Sequence, residues 1–209
     1  YKQIWKMLAT KNLKARAKYL NITNQVPDLI KLAMQGGRPV RDEDNPLPLH
    51  YPITITKRAY ELIEEVLDSG YVNINMDERF EKALAHAFGT KYAVALHNCT
   101  AGLHAALCAL QAMHFCKAGD EVIVNAITDF GSAEGILSER LVPVFADVDE
   151  RTGLPTAEDI KKVMTDRTCA IIVVHMYGQA ADIDPIMELA DSCGIPVLED
   201  IAQAPLTKY

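Results

Sequence analysis

Glu199 and Asp200 are well placed to do chemistry, because they directly follow the apolar run that begins at Ile195. A short apolar run of this kind predicts a buried strand, which would carry Asp200 at its carboxyl end. Open α/β sheets bind their ligands at that edge. A carboxylate there could keep a heteroaromatic nitrogen protonated, since a nearby negative charge favours the cation. A solvated strand end explains the same two residues without any ligand.

The segment Asn98–Leu103 offers a different chemistry, because it opens a predicted helix directly after a predicted strand. The free N–H groups and the positive dipole at the start of a helix suit a phosphate. The segment matches neither the dinucleotide-binding glycine pattern nor the Walker A loop, so it carries no nucleotide fingerprint. A plain helix cap by Asn98 or Thr100 explains it equally well.

Cys99 adds a third chemistry within the same segment. A thiol at a helix N-terminus can have a lowered pKa and can act as a nucleophile. His175 follows another predicted strand and could then serve as the base of a thiol hydrolase. No further residue of the sequence supports this pairing.

Composition argues against several classes of protein. The net charge of −7 over 209 residues argues against nucleic-acid binding, and no apolar run reaches the roughly 20 residues of a membrane span. The five cysteines include no C-x-x-C pair, which favours reduced thiols in a cytoplasmic compartment. The six histidines form no H-E-x-x-H or similar set, so we expect no metal site.

Apolar runs and helical periodicity alternate through most of the chain. Strands are predicted at 92–96, 121–125, 142–146, 169–174 and 195–198. Helices are predicted at 57–68, 77–88, 100–113, 130–139, 156–164 and 183–192. This alternation predicts an α/β sandwich of three layers, with a mostly parallel sheet between helices. Polar residues follow four of the strands, so we expect them to converge at one edge of the sheet.

Helix caps are predicted from residues that precede or open these helices. Thr56 stands before the helix at 57–68, and Asp77 opens the helix at 77–88. Thr156 and Asp159 together resemble a capping box. Such side chains satisfy N–H groups that the first turn of a helix leaves unpaired.

The start of the chain differs from the rest. Residues 1–35 hold helical candidates at 3–19 and 28–35, and residues 36–55 are rich in glycine and proline. We therefore expect an N-terminal helical extension, a linker, and one incomplete large domain over 56–209. The first 20 residues hold six basic side chains and no acidic one. That pattern is typical of a solvated helix face, which we prefer, or of a transit peptide.

Several motifs follow one another in a recognisable order. They are the lead-in at 32–41, the helix-opening turn at 98–104, the segments 119–124 and 145–149, and the segments 175–179 and 199–204. In this combination the sequence from about 35 to 209 resembles the N-terminal half of the DegT/DnrJ/StrS-type sugar aminotransferases. The resemblance implies a pyridoxal-phosphate (PLP) enzyme with the large domain of the aspartate-aminotransferase fold, whose C-terminal part lies beyond this sequence.

The resemblance also implies roles for particular residues. Thr100 and Ala101 would hold the PLP phosphate, largely through backbone N–H groups, and Cys99 replaces the usual glycine of that turn. Asp200 would pair with the pyridinium nitrogen, as the one catalytic residue of this stretch. Gln203 would lie beside the phenolic oxygen of the cofactor.

Further departures from the pattern of the family concern the residue that covers the cofactor ring and the Schiff-base lysine. The family places an aromatic residue on the cofactor ring where this sequence has Asp129, so Phe130, which follows it, is the stacking candidate. The family's Schiff-base lysine lies beyond the Glu199–Ala204 motif. Lys208 is too close to Asp200 to be that residue, so we expect the lysine outside this sequence.

The resemblance implies an enzyme that transfers an amino group from an amino acid to a keto sugar or keto cyclitol. We expect glutamate to be the amino donor. The family works as homodimers, so we expect a homodimer in the cytoplasm with these small molecules as partners. Two alternatives stay open. The chain could belong to a non-catalytic pseudoenzyme or subunit, or to a PLP-dependent sugar dehydrase, which typically has histidine in place of the lysine.

Overall fold

The computed structural model of the protein describes residues 55–71 and 74–208. The helices predicted at 3–19 and 28–35, and the linker up to residue 54, lie outside the described residues. The chain divides into two compact units, Tyr1–Asp68 and Ser69–Tyr209. In the first unit, helix α1 spans Lys57–Asp68, as predicted. Thr56 is its cap, since its Oγ1 accepts a hydrogen bond of 3.3 Å from the N–H of Ala59.

Helices and strands alternate through the second unit. Its elements are α2 Met76–Phe88, α3 Cys99–Ala112, β1 Glu121–Asn125, α4 Phe130–Ser138, β2 Val142–Ala146, α5 Ala157–Val163, β3 Thr168–Val174, α6 Ile183–Cys193 and β4 Val197–Asp200. Thr156 Oγ1 accepts the N–H of Asp159 at 3.2 Å and so caps α5, as expected. No helix among the described residues is long and apolar enough to cross a membrane.

The four strands form one sheet in the order β2-β1-β3-β4, with every neighbouring pair parallel. The central strands β1 and β3 are buried at every position, which explains their uninterrupted apolar runs. Four of the helices form two packed pairs, α3 with α4 and α5 with α6. Each of these four helices buries one large aliphatic side chain in the core: Leu107, Ile136, Ile160 and Ile186. The predicted α/β class and parallel sheet are confirmed.

Residues 92–96 do not form the predicted strand. Tyr92 and Val94 are each 74% exposed, and the N–H of Ala95 donates to the Glu81 carboxylate at 2.8 Å. A strand is stabilised by the hydrogen-bond ladder it shares with a neighbour. No described residue pairs with this segment in such a ladder, so its alternating side chains alone do not make it a strand.

Two boundary predictions are also corrected. Strand β4 begins at Val197, two residues later than predicted, because Pro196 has no N–H to donate to a ladder. The strand also ends later than predicted, at Asp200, so Glu199 and Asp200 belong to it. Helix α2 begins at Met76 with Asn75 at its N-cap position, so Asp77 lies in the first turn and is not the cap.

Cys116 and Cys169 form a disulfide, with their Cα atoms 5.2 Å apart and both residues buried. The prediction that all cysteines are reduced is therefore wrong for these two. They lie 53 positions apart, and only the packing of the segment after α3 against β3 brings them together.

Candidate functional site

Asp200 is a buried carboxylate at the end of β4, with 5% of the residue exposed. Its Oδ2 accepts a hydrogen bond of 2.7 Å from Ser132 Oγ. Its Oδ1 accepts from the Cys99 thiol at 3.4 Å and from the N–H of Ala202 at 3.0 Å. Among the described residues, no lysine, arginine or histidine forms an ion pair with it. Asp200 is thus a buried negative charge held by neutral donors.

Ser132 is the donor that the sequence did not single out. It is buried in α4, and its hydroxyl lies 2.9 Å from Thr128 Oγ1. Thr128 is one of the polar residues that follow β1. Thr128 lies two residues before α4, so this contact joins the loop after β1 to the first turn of the helix. A serine facing the sheet from a helix is common, and its link to Asp200 depends on how α4 packs.

The first turn of α3 lies beside Asp200 through the contact from Cys99. Asn98 is the N-cap, and its Oδ1 accepts the N–H of Ala101 at 2.8 Å. The sequence left Asn98 and Thr100 open as caps, and the structure selects Asn98. Within the described residues, the backbone N–H groups of Cys99 and Thr100 donate no hydrogen bond inside the protein. Two donors at the positive end of α3 are therefore available to an anion.

Cys99 is not a nucleophile in this arrangement. Partial burial, the charge of Asp200 and the hydrogen bond to Asp200 raise the pKa of the Cys99 thiol from 9.0 to about 11. The thiol is therefore protonated at neutral pH and serves as a donor. His175 does not contact the Cys99 thiol. The hypothesis of a thiol hydrolase is therefore wrong for both residues.

His175 instead joins two strands at the same edge of the sheet. It is buried, and its Nδ1 accepts the N–H of Ala181 at 3.0 Å. Nε2 therefore carries the proton in the neutral ring and donates to Glu199 Oε2 at 3.0 Å. The backbone N–H of His175 also donates to the carbonyl of Asp200 at 3.0 Å. His175 fixes the end of β4 beside β3.

Asn125 has a similar positioning role at the end of β1. Its side-chain amide donates to the carbonyl of Val174 at 2.7 Å and accepts the N–H of Val174 at 3.1 Å. This clamp extends the contact between β1 and β3 by one residue after the ladder ends. The sequence pattern gave no sign of it, because an asparagine at a strand end is usually a turn residue.

The remaining candidates lie around this edge with differing exposure. Asp129 is the N-cap of α4, with its Oδ1 accepting the N–H of Gly131 at 2.9 Å. Phe130 follows with 66% of the residue exposed. Gln203 has an exposed side chain, and its carbonyl accepts the N–H of Gly178 at 3.0 Å. No contact in the described structure ties Phe130 or Gln203 to Asp200.

A cavity of about 290 Å³ lies between α3 and α4. Thr100, Ala101, His104, Glu134 and Ser138 are among its lining residues. The cavity touches the first turn of α3 but not Asp200. The edge of the sheet holds both a site for an anion, at the start of α3, and a site for a cation, at Asp200. The cavity alone does not combine the two.

Comparison with known proteins identifies the family of the chain. Residues 54–209 match the sequence model of the DegT/DnrJ/EryC1/StrS aminotransferase family. The match starts later than the resemblance read from residue 35. The preceding stretch lies outside both the match and the described residues.

Relatives with known functions and structures agree with this match. The chain is 36% identical to the GDP-perosamine synthase of Escherichia coli O157:H7, over 78% of this chain and 44% of that protein. It is 37% identical to the L-glutamine:2-deoxy-scyllo-inosose aminotransferase of Streptomyces lividus, over 85% and 42%. An aminotransferase of known structure from Psychrobacter cryohalolentis is 38% identical, with a TM-score of 0.71 over 78% and 41%.

The chain spans less than half the length of the curated relatives it matches. Enzymes of this family depend on PLP. The match covers most of the sequence and all of the described residues. The chain therefore belongs to the DegT/DnrJ/EryC1/StrS aminotransferase family.

Proposed function

We propose that this chain is the PLP-binding portion of an aminotransferase that acts on a keto sugar or keto cyclitol. The observation that carries the proposal is Asp200, a buried carboxylate without a cationic partner among the described residues. Burying an unpaired charge is costly. A ligand that brings a protonated ring nitrogen to this carboxylate would offset that cost.

The start of α3 supplies the matching anion site. Among the described residues, the N–H groups of Cys99 and Thr100 have no acceptor, whereas the N–H of Ala101 donates to Asn98. A phosphate at this helix end would accept from Cys99 and Thr100 and would gain from the helix dipole. The Cys99 contact places this turn beside Asp200. The donor set therefore fits a ligand that carries both a phosphate and a basic ring nitrogen, as PLP does.

Each residue has a definite task in this proposal. PLP, when bound, supplies the electron sink that amino-group transfer needs. Asp200 keeps the ring nitrogen protonated, and Ser132 and the N–H of Ala202 hold the carboxylate in position. Phe130 at the start of α4 is proposed to cover one face of the ring, and Gln203 to donate to the phenolic oxygen. The lysine that would bind PLP covalently is proposed to lie outside this sequence.

Substrates and assembly are proposed from the relatives. One named relative is a GDP-perosamine synthase and another an aminotransferase for an inosose with L-glutamine as donor. We therefore extend the expected donor from glutamate to glutamate or glutamine. These two relatives are 36% and 37% identical to the chain, whereas a GDP-4-keto-6-deoxymannose-3-dehydratase of known structure is 29% identical, which favours amino transfer over dehydration. A homodimer in the cytoplasm remains part of the proposal.

Binding of pyridoxamine 5'-phosphate is the direct test of the site. This form of the cofactor has no aldehyde, so it cannot form adducts with surface lysines. We expect wild-type protein to bind it and to bind pyridoxamine, which lacks the phosphate, at least about tenfold more weakly, a difference of about 1.4 kcal/mol. Asp200→Asn is expected to weaken binding of both compounds. Glu188→Gln is the matched control, because it removes one charge from an exposed position of α6.

Equal affinity for the two compounds would refute the proposed phosphate site. Undiminished binding by Asp200→Asn would refute the proposed site for the ring nitrogen. The activity is tested separately by incubating the full-length protein, including the segment proposed to carry the lysine, with PLP, an amino donor and nucleotide-linked keto sugars. An amino sugar as product supports the aminotransferase, and a deoxy sugar without nitrogen supports the dehydrase. Cofactor binding with neither product supports the pseudoenzyme.

A further inference from the structure

His104, Cys108 and Glu139 bring three metal-ligating atoms together away from Asp200. His104 Nε2 lies 2.6 Å from Glu139 Oε1, and Cys108 Sγ lies 3.1 Å from the same oxygen. All three ligand atoms lie within 4.8 Å of one another. None of the three residues contacts Asp200 in the described structure. The sequence patterns missed this group, since Glu139 comes from a different helix.

The helix geometry presents two of the ligands together. His104 and Cys108 are four residues apart on α3, so both lie on the same helix face. The same spacing presents the two histidines of H-E-x-x-H zinc sites to one ion. Glu139, the C-cap residue of α4, supplies the third ligand from across the helix pair.

Neighbouring contacts fix these positions. The side-chain amide of Gln111 donates to the carbonyl of Glu139 at 2.9 Å, which holds the backbone of Glu139 against α3. A methyl group added at Gly135 would lie 3.1 Å from the backbone N and Cα atoms of His104. The helices thus cross closely at His104, within a turn of the ligand group. Fixed ligand positions of this kind favour tight metal binding.

The ligand types select a soft or borderline divalent ion. One imidazole, one thiol and one carboxylate are the ligand types that bind zinc, with three protein ligands and one position left for water. Thiolate and carboxylate together would neutralise the charge of the ion. With bond lengths of about 2.0–2.3 Å, tetrahedral ligand atoms lie roughly 3.3–3.7 Å apart. The Glu139 carboxylate would therefore withdraw by about 1 Å to admit the ion.

An ion can reach this group from solvent. Cys108 is exposed, and the side chain of His104 is 44% exposed. His104 also borders the cavity between α3 and α4. The geometry points to a zinc-type site formed by His104, Cys108 and Glu139, which clamps α3 to the end of α4. The site uses none of the residues proposed to bind the cofactor.

Cobalt(II) and zinc titrations test the site. Chelator-treated protein should bind one equivalent of cobalt with a thiolate-to-metal charge-transfer band, and zinc should displace the cobalt. Cys108→Ser should abolish the band. His104→Gln should weaken zinc binding by more than the roughly 10- to 100-fold lost when an outer-shell partner is changed. Cys193→Ser, which removes a different exposed thiol, should leave both signals unchanged.

A readout that needs no variant guards against variants that fail to fold. Zinc should protect Cys108 of the wild-type protein from alkylation and leave Cys193 reactive, as followed by peptide mass spectrometry. The proposal is overturned if no stoichiometric ion binds, if the charge-transfer band survives in Cys108→Ser, or if zinc protects Cys193 as well as Cys108.

Discussion

Ser132 Oγ donates a hydrogen bond of 2.7 Å to Asp200 Oδ2, across 68 positions of the sequence. Both residues are buried, so the bond joins α4 to the end of β4 away from solvent. A hydrogen bond to a charged group contributes about 1.5–3 kcal/mol to the stability of the folded protein, since its loss leaves the charged group with fewer hydrogen-bond partners. This contact makes the position of Asp200 depend on the packing of α4.

We expect Ser132→Ala to lower the free energy of unfolding by about 1.5–3 kcal/mol. The side chain keeps nearly the same volume, so the lost hydrogen bond is the main change. Urea unfolding at neutral pH measures the difference. Ser138→Ala changes an exposed serine of the same helix and should stay within about 0.5 kcal/mol of wild type. Equal stability of the two variants would contradict the role given to Ser132.

The pH dependence of Cys99 alkylation is a second prediction. The pKa of Cys99 is raised from 9.0 to about 11, and only the thiolate reacts with iodoacetamide. The rate at Cys99 should therefore rise with a midpoint near the raised value. Asp200→Asn removes the negative charge and should move the midpoint down towards 9.0, with partial burial still acting.

The same shift affects stability. The thiol has a higher pKa in the folded state than in the unfolded state, so its protonated form stabilises the folded protein. This contribution to the free energy of unfolding is fully present below about pH 8.5. The contribution is lost as pH rises through the folded pKa of about 11. In Cys99→Ser, the free energy of unfolding should no longer show this loss at alkaline pH. In the alkylation experiment, a midpoint near pH 9.0 for Cys99 of the wild-type protein would show that Asp200 does not contact the thiol.

Gly135 is predicted to be required for the close crossing of α3 and α4. A methyl group there would lie 3.1 Å from backbone atoms of His104, and backbone cannot move aside as a side chain can. We expect Gly135→Ala to destabilise the protein by about 1–3 kcal/mol, the usual cost of overpacking. The melting temperature measured by circular dichroism would report this loss.

Gly102→Ala is the matched control for that change. Gly102 lies in α3, and its added methyl group would meet only Leu96 Cδ1, at 4.0 Å. Alanine is a better helix former than glycine by up to about 1 kcal/mol. Gly102→Ala should therefore raise the melting temperature slightly. A rise for both variants would mean that the helices are not in close contact at Gly135.

The disulfide predicts a definite thiol count. Cys116 and Cys169 are bonded, and Cys99, Cys108 and Cys193 are free. Denatured protein should therefore show three thiols with Ellman's reagent before reduction and five after it. Cytosolic proteins rarely keep disulfides. Five thiols before reduction would refute the disulfide and restore the reduced state expected for a cytoplasmic protein.

The sequence alone determined the local elements and the family. The apolar runs at 122–124 and 169–174 predicted β1 and β3, because strands buried on both faces are apolar along most of their length. The run before Glu199 predicted that Asp200 ends a strand, and Asn98 was predicted as a possible cap of α3. These features depend on neighbours within a few residues, which a sequence displays directly.

Tertiary structure decided every contact between distant elements. Packing of α4 places Ser132 against Asp200, and packing of β3 against the segment after α3 joins Cys116 to Cys169. Residues 92–96 show the converse, since a suitable pattern forms no strand without a partner. Such contacts join residues tens of positions apart, and the periodicity of a sequence carries no information about which distant side chains meet.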